Sequence, residues 1–348
     1  MTGPAPAFHT ITENNVADIA GRYALGELRA AWRPVQGFVN DNWVLETERG
    51  RFFLKHRHPS VSRPDRIRCE HALMDWLVQH DFPAPALVRT PADETLLVMD
   101  NGCFEVQRYI EGRSFQHDRT EHLLAAARTL GLYHARVEDF GPDAFCRIGA
   151  LYHPDHIQRK LDGLHEAWQL EHVGEQTAAI TELETLTDVL ATRFAKHTAL
   201  PSLVIHGDYY AGNLLFDGDL VVGVVDYDKA SWQPRIAEVA EALIYFSSPR
   251  PGHLKHLVYP GILQWPRLTR FLEAYCGPAP LWAAEADTLA DYVECIWLQV
   301  SLDRLLERGG VAAEACEAIG EVLTLAEWAC DRAARISKVA QQASKERS

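Results

Sequence analysis

The sequence predicts an α+β protein of two lobes. A small antiparallel sheet with a leading helix and one inserted helix is expected over residues 1–111, and a mainly helical lobe over residues 112–336. Three observations predict this. Short apolar or aromatic runs separated by turn signals fill the first third of the chain. Beyond Glu111-Gly112-Arg113 most segments carry apolar residues at helical spacing. The chain has 348 residues, of which 47% are hydrophobic, with nine Trp, which suits a globular protein with enough core for two lobes.

Residues 1–10 read as a loose tail and residues 11–28 as an amphipathic helix. Residues 30–35, 43–47 and 51–55 are strand-like, the last two joined by the turn Glu48-Arg49-Gly50. Residues 63–80 place Ile67, Ala72, Leu73, Trp76 and Leu77 at helical spacing, and Asp81-Phe82-Pro83 stops them. Residues 95–99 and 104–109 complete a five-stranded sheet around Asn101-Gly102. In the second lobe, helices are expected over residues 120–137, 154–168, 175–197, 235–246, 267–275, 283–308 and 312–336. Residues 203–226 interrupt them with strand-like runs at 214–216 and 220–225. Residues 337–348 are polar and are expected to be a flexible tail.

A formal net charge of −14 argues against nucleic acid as a partner, because phosphate binding needs a basic footprint. Seven scattered Cys without a CxxC pair read as reduced thiols. The N-terminal MTGPAPAFHT shows no signal peptide, and no apolar run is long enough to span a bilayer, so a cytoplasmic protein with no membrane partner is expected, as monomer or homodimer. His56 and His58, and the HxxH pair His253 and His256, lack a convincing set of further ligands and read as surface or capping residues.

The chemistry concentrates between His206 and Asp228. Asp208 opens a loop that ends at Asn213, and Asp226 follows an apolar strand-like run. Phosphoryl transfer from ATP needs one carboxylate to accept or orient a hydroxyl proton, and an amide oxygen and a second carboxylate to hold Mg²⁺ on the phosphates. Asp208 fits the first task, Asn213 and Asp226 the second. Turn chemistry alone is the competing explanation for Asp208 and Asn213. Asp228 is either a further ligand or substrate contact or a solvated, salt-bridged carboxylate. His206 reads as a residue that orients the loop. Upstream, Lys55 ends a strand, where it can reach the phosphates, and Glu70 on the next helix can pair with it. Taken alone, each is equally a surface charge, and Asp75 competes with Glu70 on the same helix. Residues 36–42 join two strands and hold one Gly, and no GxxxxGK[ST] occurs.

IHGDYYAGNLLF followed by VVGVVDYDKA resembles the aminoglycoside phosphotransferase and choline kinase-like superfamily, which is related to protein kinases. The resemblance runs from about Trp32 past residue 300. It implies a protein-kinase-like two-lobed fold, ATP and Mg²⁺, with Asp208 as catalytic base, Asn213 and Asp226 as metal ligands, and Lys55 paired with Glu70. It further implies that Gly37 and Asn40 belong to a nucleotide-covering loop, and that Gln107, Tyr109 and Ile110 lie in a hinge that meets the adenine. Two departures stand out. Tyr209-Tyr210-Ala211-Gly212 replaces the usual His-Pro-containing loop, and Glu238 stands where many members place an Asp. The expected reaction is transfer of the ATP γ-phosphate to a hydroxyl of a small molecule: an amino alcohol, an amino-acid alcohol such as homoserine, or an aminoglycoside. Arg235, Arg267 and Arg304 are candidates for binding an acceptor carboxylate. A stress-response-type Ser/Thr protein kinase and a non-catalytic nucleotide-binding scaffold are the alternatives.

Overall fold

A computed structural model describes residues 11–34, 40–58, 63–141, 150–168, 174–197, 200–308 and 312–345. Its elements, in chain order, begin with α1 (Glu13–Arg22), β1 (Leu28–Trp32), β2 (Asp41–Thr47), β3 (Gly50–Arg57), α2 (Pro64–Gln79), β4 (Leu96–Met99), β5 (Gly102–Arg108) and β6 (Arg113–Ser114). They continue with α3 (Thr120–Arg136), α4 (Pro154–Trp168), α5 (Gly174–Phe194), β7 (Ser202–Ile205), β8 (Leu214–Asp217), β9 (Leu220–Val224) and β10 (Ser231–Pro234). Four helices close the chain: α6 (Arg235–Ser247), α7 (Trp265–Tyr275), α8 (Ala283–Arg308) and α9 (Ala312–Lys345). Among the described residues no helix is long and apolar enough to cross a membrane.

The chain divides into two compact units. The first comprises Met1–Ser114, Asp139–Cys146 and Asn213–Ala230; the second comprises Phe115–Glu138, Arg147–Gly212 and Ser231–Ser348. This division differs from the boundary expected at residue 112: the strand pair that carries Asn213 and Asp226 clusters with the N-terminal sheet. Backbone bonds explain this: β8 pairs with β6 as well as with β9, and the Val224 N–H donates to the Pro83 carbonyl at 2.7 Å.

The five-stranded antiparallel sheet of the first unit has the order β1-β2-β3-β5-β4. Its side chains alternate between two faces, as strand geometry requires. Phe52 and Leu54 of β3, Phe104 and Val106 of β5, and Trp43 and Leu45 of β2 pack with Val16, Ile19 and Ala20 of α1. The opposite face of β3 and β5 carries Lys55 and Arg57, Glu105 and Gln107, all buried, together with Phe53 and Cys103. Lys55 stands across from Glu105 in the register. α1 is shorter than the helix expected over residues 11–28, because Tyr23 ends it and Ala24 and Gly26 adopt left-handed φ of 51° and 85°.

The second unit is built on helices, with β7 and β10 as a small antiparallel pair. Every residue of α6 is buried, which marks it as the central helix. The tail expected over residues 337–348 is helical through Lys345. Ile336, Ala340 and Ala343 fall at i, i+4 and i+7 on one buried face, Gln341 donates to Asp287 at 2.6 Å, and Ser344 donates to the Leu281 carbonyl.

Candidate active site

In the first unit the charged face of the sheet is a closed network. Lys55 Nζ lies 2.7 Å from Asp226 Oδ1 and 2.6 Å from Asp228 Oδ1. Burial opposes the Lys55 charge, but Asp226 leads the groups that hold it protonated, and its pKa ends above the usual lysine value. Arg57, two residues on and so on the same face of β3, meets Glu105 at 2.7 Å, Glu70 at 2.9 Å, and Asp228. His71 Nε2 lies 2.9 Å from Glu105, and Gln107 Nε2 donates to the same carboxylate at 2.7 Å. The acids respond differently. Burial would raise Glu105, but Arg57 and then His71 hold it well below the usual carboxylate range. Burial likewise opposes the Asp228 charge, and Lys55 and Arg57 hold its pKa low. At Glu70 burial wins and pushes the pKa up to about 7.

Glu70 is thus not the partner of Lys55. It pairs with Arg57 and, at 3.0 Å, with Arg66 one turn earlier on α2. The expected pair is corrected by strand geometry: α2 presents Glu70 to position 57 of β3, while Lys55 reaches the residues that follow β9. Asp75 is an outer residue bonded to Arg89 at 2.6 Å. Asp226 has a left-handed φ of +72°, a conformation that Asp tolerates better than most residues and that turns the chain out of the strand. The Val225 N–H donates to the Asn213 carbonyl at 3.0 Å, which ties the backbones of the two expected metal positions together.

The other nucleotide-side expectations divide. Asn40 is buried and bonded on both sides: its Nδ2 donates to Asp228 at 2.8 Å, and its Oδ1 accepts from the His58 N–H at 2.9 Å. Gly37 lies outside the described residues. Gln107 turns its side chain into the Glu105 network. The Tyr109 N–H donates to the Arg51 carbonyl at 3.3 Å, and Ile110 packs so closely on Gly223 that a Cβ there would stand 3.1 Å from it.

In the second unit β7 delivers the chain to His206, Gly207 and Asp208. Gly207 has φ of +76°, which turns the backbone so that both the His206 and Gly207 N–H groups point at Glu238 of α6, at 3.2 and 2.6 Å. Glu238 also meets His134 Nε2 at 2.9 Å, and His134 Nδ1 lies 2.7 Å from the Tyr275 hydroxyl. Burial, the largest influence, holds His134 below the usual histidine pKa despite Glu238. The neutral ring therefore donates from Nε2 to Glu238 and accepts at Nδ1 from Tyr275. His206 is fully buried, and its Nδ1 accepts from the Asp208 N–H at 3.3 Å. Asp208 sits on an anchored loop, and its own side chain is only partly buried.

Arg57, Glu105 and His134 were missing from the sequence reading. A charge at an alternating strand position flanked by apolar residues, as in Phe104-Glu105-Val106, was the available signal for the first two. The arginines proposed for an acceptor carboxylate are engaged elsewhere. Arg235 makes a two-pronged pair with Glu285 at 2.7 and 2.6 Å. Arg267 donates to the Phe246 and His117 carbonyls, and Arg304 to those of Lys255 and Val258.

A strand lysine and an amide and carboxylate flanking a strand pair in the first unit, and an anchored carboxylate loop in the second, are the residue types that a kinase-like phosphotransferase uses. Residues 31–286 match the model of the phosphotransferase enzyme family, and the chain belongs to that family. It is 27% identical over 303 residues to a homoserine kinase of Pseudomonas aeruginosa, covering 84% of each chain. It is 26% identical over 226 residues to a homoserine kinase of Nitrobacter winogradskyi, a match that takes in 62% of this chain and 63% of that one. The fold is shared with an amicoumacin kinase solved with AMP-PNP and Ca²⁺, at a TM-score of 0.63 and 15% identity over 96% of this chain and 94% of that one.

Proposed function

We propose that this chain is a cytoplasmic ATP- and Mg²⁺-dependent kinase that transfers the γ-phosphoryl group of ATP to a hydroxyl of a small molecule. The single observation that carries the reading is Lys55 Nζ at 2.7 Å from Asp226, which unites a strand lysine with the carboxylate expected at the metal. The homoserine kinases among its relatives make an amino-acid alcohol the leading acceptor class.

Asp208 accepts the proton of the acceptor hydroxyl as its oxygen bonds to the γ-phosphorus. The bond from that phosphorus to the bridging oxygen breaks, its electron pair leaves on ADP, and Asp208 passes the proton to solvent. Asn213 and Asp226 supply an amide oxygen and a carboxylate, a hard-oxygen set that suits Mg²⁺, which usually takes one or two protein carboxylates and completes its shell with phosphates and water. When bound, the cation offsets charge on the phosphates. Lys55 adds a fixed positive charge held by Asp226 and Asp228, and Arg57 in turn fixes Asp228. Asn40, Gln107, Tyr109 and Ile110 belong to the nucleotide side of this reading, with Asn40 and Gln107 acting through Asp228 and Glu105.

Asp208→Asn tests it. Turnover should fall at least about 100-fold, the scale of a lost general base, while the Kd for ATP stays put. Wild-type turnover in this variant would remove Asp208 from the mechanism.

A further inference from the structure

Within the second unit a cavity of about 170 Å³ lies where the end of α5 and a face of α8 meet the junction of β10 and α6. Tyr152, Phe194, Pro234, Ala237 and Tyr292 give it apolar walls, and His197 stands among them. The His197 ring lies 4.9 Å from that of Phe194 and stacks at 22° on that of Tyr292, 6.1 Å away. No Asp, Glu, Lys or Arg is among the described residues that line the space, and neither is any residue of the loop from Asp208 to Asn213. Pro234 pairs with Ser202, which places the cavity by the start of β7, while Asp208 follows the other end of that strand.

One polar atom of this lining is unmatched. The His197 side chain is only 8% exposed. Its Nε2 lies 2.9 Å from Asp291 Oδ2, and Asp291 Oδ1 also meets Arg193 Nη1 at 2.9 Å. A carboxylate paired with an arginine only accepts, so the imidazole proton sits on Nε2, and Nδ1 of the neutral ring keeps its lone pair. Nδ1 is buried, and nothing among the described residues donates to it. Native interiors seldom leave such an atom unmatched. Asp291 is not part of the lining, so it holds the ring from behind and leaves Nδ1 for an occupant. Gln233, His153 and Tyr152 have partners already. Gln233 Oε1 accepts from the Leu151 N–H at 3.0 Å, His153 Nδ1 accepts from the Asp155 N–H at 3.2 Å, and the Tyr152 phenol donates to Glu241.

Size and polarity together select a ligand. The space is slightly larger than an apolar cavity of about 150 Å³ that takes up benzene. A buried water makes about three hydrogen bonds, and this lining offers one orphan acceptor, so water alone fills it poorly. An ammonium finds aromatic faces but no acid in the lining, and Arg193 beside Asp291 opposes its charge. A compact apolar body with a single hydroxyl matches both the walls and Nδ1.

We propose that this cavity is a binding site for a small uncharged molecule, one ring or its aliphatic equivalent in size, whose hydroxyl donates to His197 Nδ1. The site is separate from the phosphoryl-transfer residues, and its occupant is neither the nucleotide nor the phosphate acceptor.

Ligand-observed NMR titration of the full chain with phenol, toluene and cyclohexylamine tests this. Phenol should bind saturably and about tenfold more tightly than toluene, its isostere without a donor, which is the scale of one hydrogen bond to a buried acceptor. It should also bind more tightly than cyclohexylamine, which is an ammonium at neutral pH. His197→Phe keeps a ring in place and removes Nδ1, so phenol should fall to the level of toluene while the toluene Kd moves little. Ala150→Leu adds bulk at an exposed residue of the lining and should weaken phenol and toluene alike with Tm unmoved. That variant carries the test if His197→Phe does not fold. No saturable binding of phenol, equal binding of toluene, tighter binding of cyclohexylamine, a phenol preference that survives in His197→Phe, or unchanged binding in Ala150→Leu would each overturn the proposal. The kinase reading is judged separately, by Mg²⁺-dependent ATP turnover that Asp208→Asn abolishes.

Discussion

Arg57→Met is the most severe test of the network on the sheet. The arginine is 2% exposed and meets three carboxylates, of which Glu70 and Glu105 are themselves 2% and 0% exposed. Met keeps the bulk of the side chain and removes the charge. Breaking a buried ion pair by deleting one partner costs about 3–5 kcal/mol, since the surviving charge stays buried without compensation. Here several carboxylates are stranded at once, and His71 and Lys55 can neutralise only part of that charge. At about 2–4 °C per kcal/mol for a domain of this size, Tm should drop on the order of 10 °C. The pH dependence gives a second readout. Glu70 already sits at about 7 in the folded state, above its ordinary 4.5, and loss of Arg57 drives it higher. A raised folded pKa contributes stability that is present below the ordinary value and is lost as pH rises through the folded one. The deficit should therefore shrink toward pH 5 and widen above pH 7. Adding Glu105→Gln should partly rescue Arg57→Met, by about 1–3 kcal/mol of coupling. Thermal unfolding at pH 5 and pH 8 decides it. A Tm change under about 2 °C at pH 8, or strictly additive single variants, would refute the reasoning.

Asp226→Asn keeps a residue that accepts the +72° φ and removes the carboxylate charge, so it should raise the Mg²⁺ concentration needed for half-maximal turnover at least tenfold with little change in the folded fraction. Metal titration of ADP release checks this, and an unchanged Mg²⁺ requirement would take Asp226 off the metal. His134 is buried with a pKa below its ordinary value, so its contribution to stability is complete above pH 6.5 and is lost as pH falls from 6.5 through the lowered folded pKa. Unfolding of wild type against His134→Asn from pH 8 to pH 5 should show the wild type losing its advantage on the acid side, and parallel curves would contradict the neutral-ring assignment.

The elements were legible where one physical period dominated. The charged strand Gly50–Arg57 could be drawn from Phe52, Leu54 and the turn before them, and helix Ala283–Arg308 was drawn to the residue. The partners of Lys55 were not legible, because they depend on which strands become neighbours. Glu105 stands opposite Lys55 only through a register set by the whole sheet, and a slip of one residue would send it to the apolar face. The affiliation of Asn213–Ala230 with the first unit was hidden for a similar reason: the two-residue strand Arg113–Ser114 that receives it is too short to carry a pattern. The helical end of α9 was missed because Ala340 and Ala343 contribute little hydrophobicity to a window rich in Lys, Gln and Ser, though their spacing was helical throughout. Asp208, Asn213 and Asp226 could be put forward together without tertiary information, because they lie close together in the chain, and their roles rest on the proposed function.

Asp226 and Asp228 show how one short segment separates two tasks. In a regular strand, residues two apart share a face. The left-handed turn at Asp226 breaks that relation, and the two side chains meet different surroundings: Asp226 is 44% exposed and Asp228 14%. Asp228 spends its lone pairs inside the protein, with Oδ1 accepting from Lys55 and Arg57 and Oδ2 from Asn40. A carboxylate offers about four such sites, so three are occupied. Recruiting Asp228 to a cation would uncover two buried positive charges, whereas Asp226 releases one bond to Lys55 and keeps solvent-facing oxygen. Under the proposed function, a cation would therefore take Asp226 rather than Asp228, and Asp228 would be the residue that fixes Lys55, Arg57 and Asn40. Placing the two carboxylates on one lysine has a further consequence: a Lys55 that turned toward phosphate would have to loosen its bond to Asp226, which is the more exposed partner, or to Asp228, which Arg57 also holds.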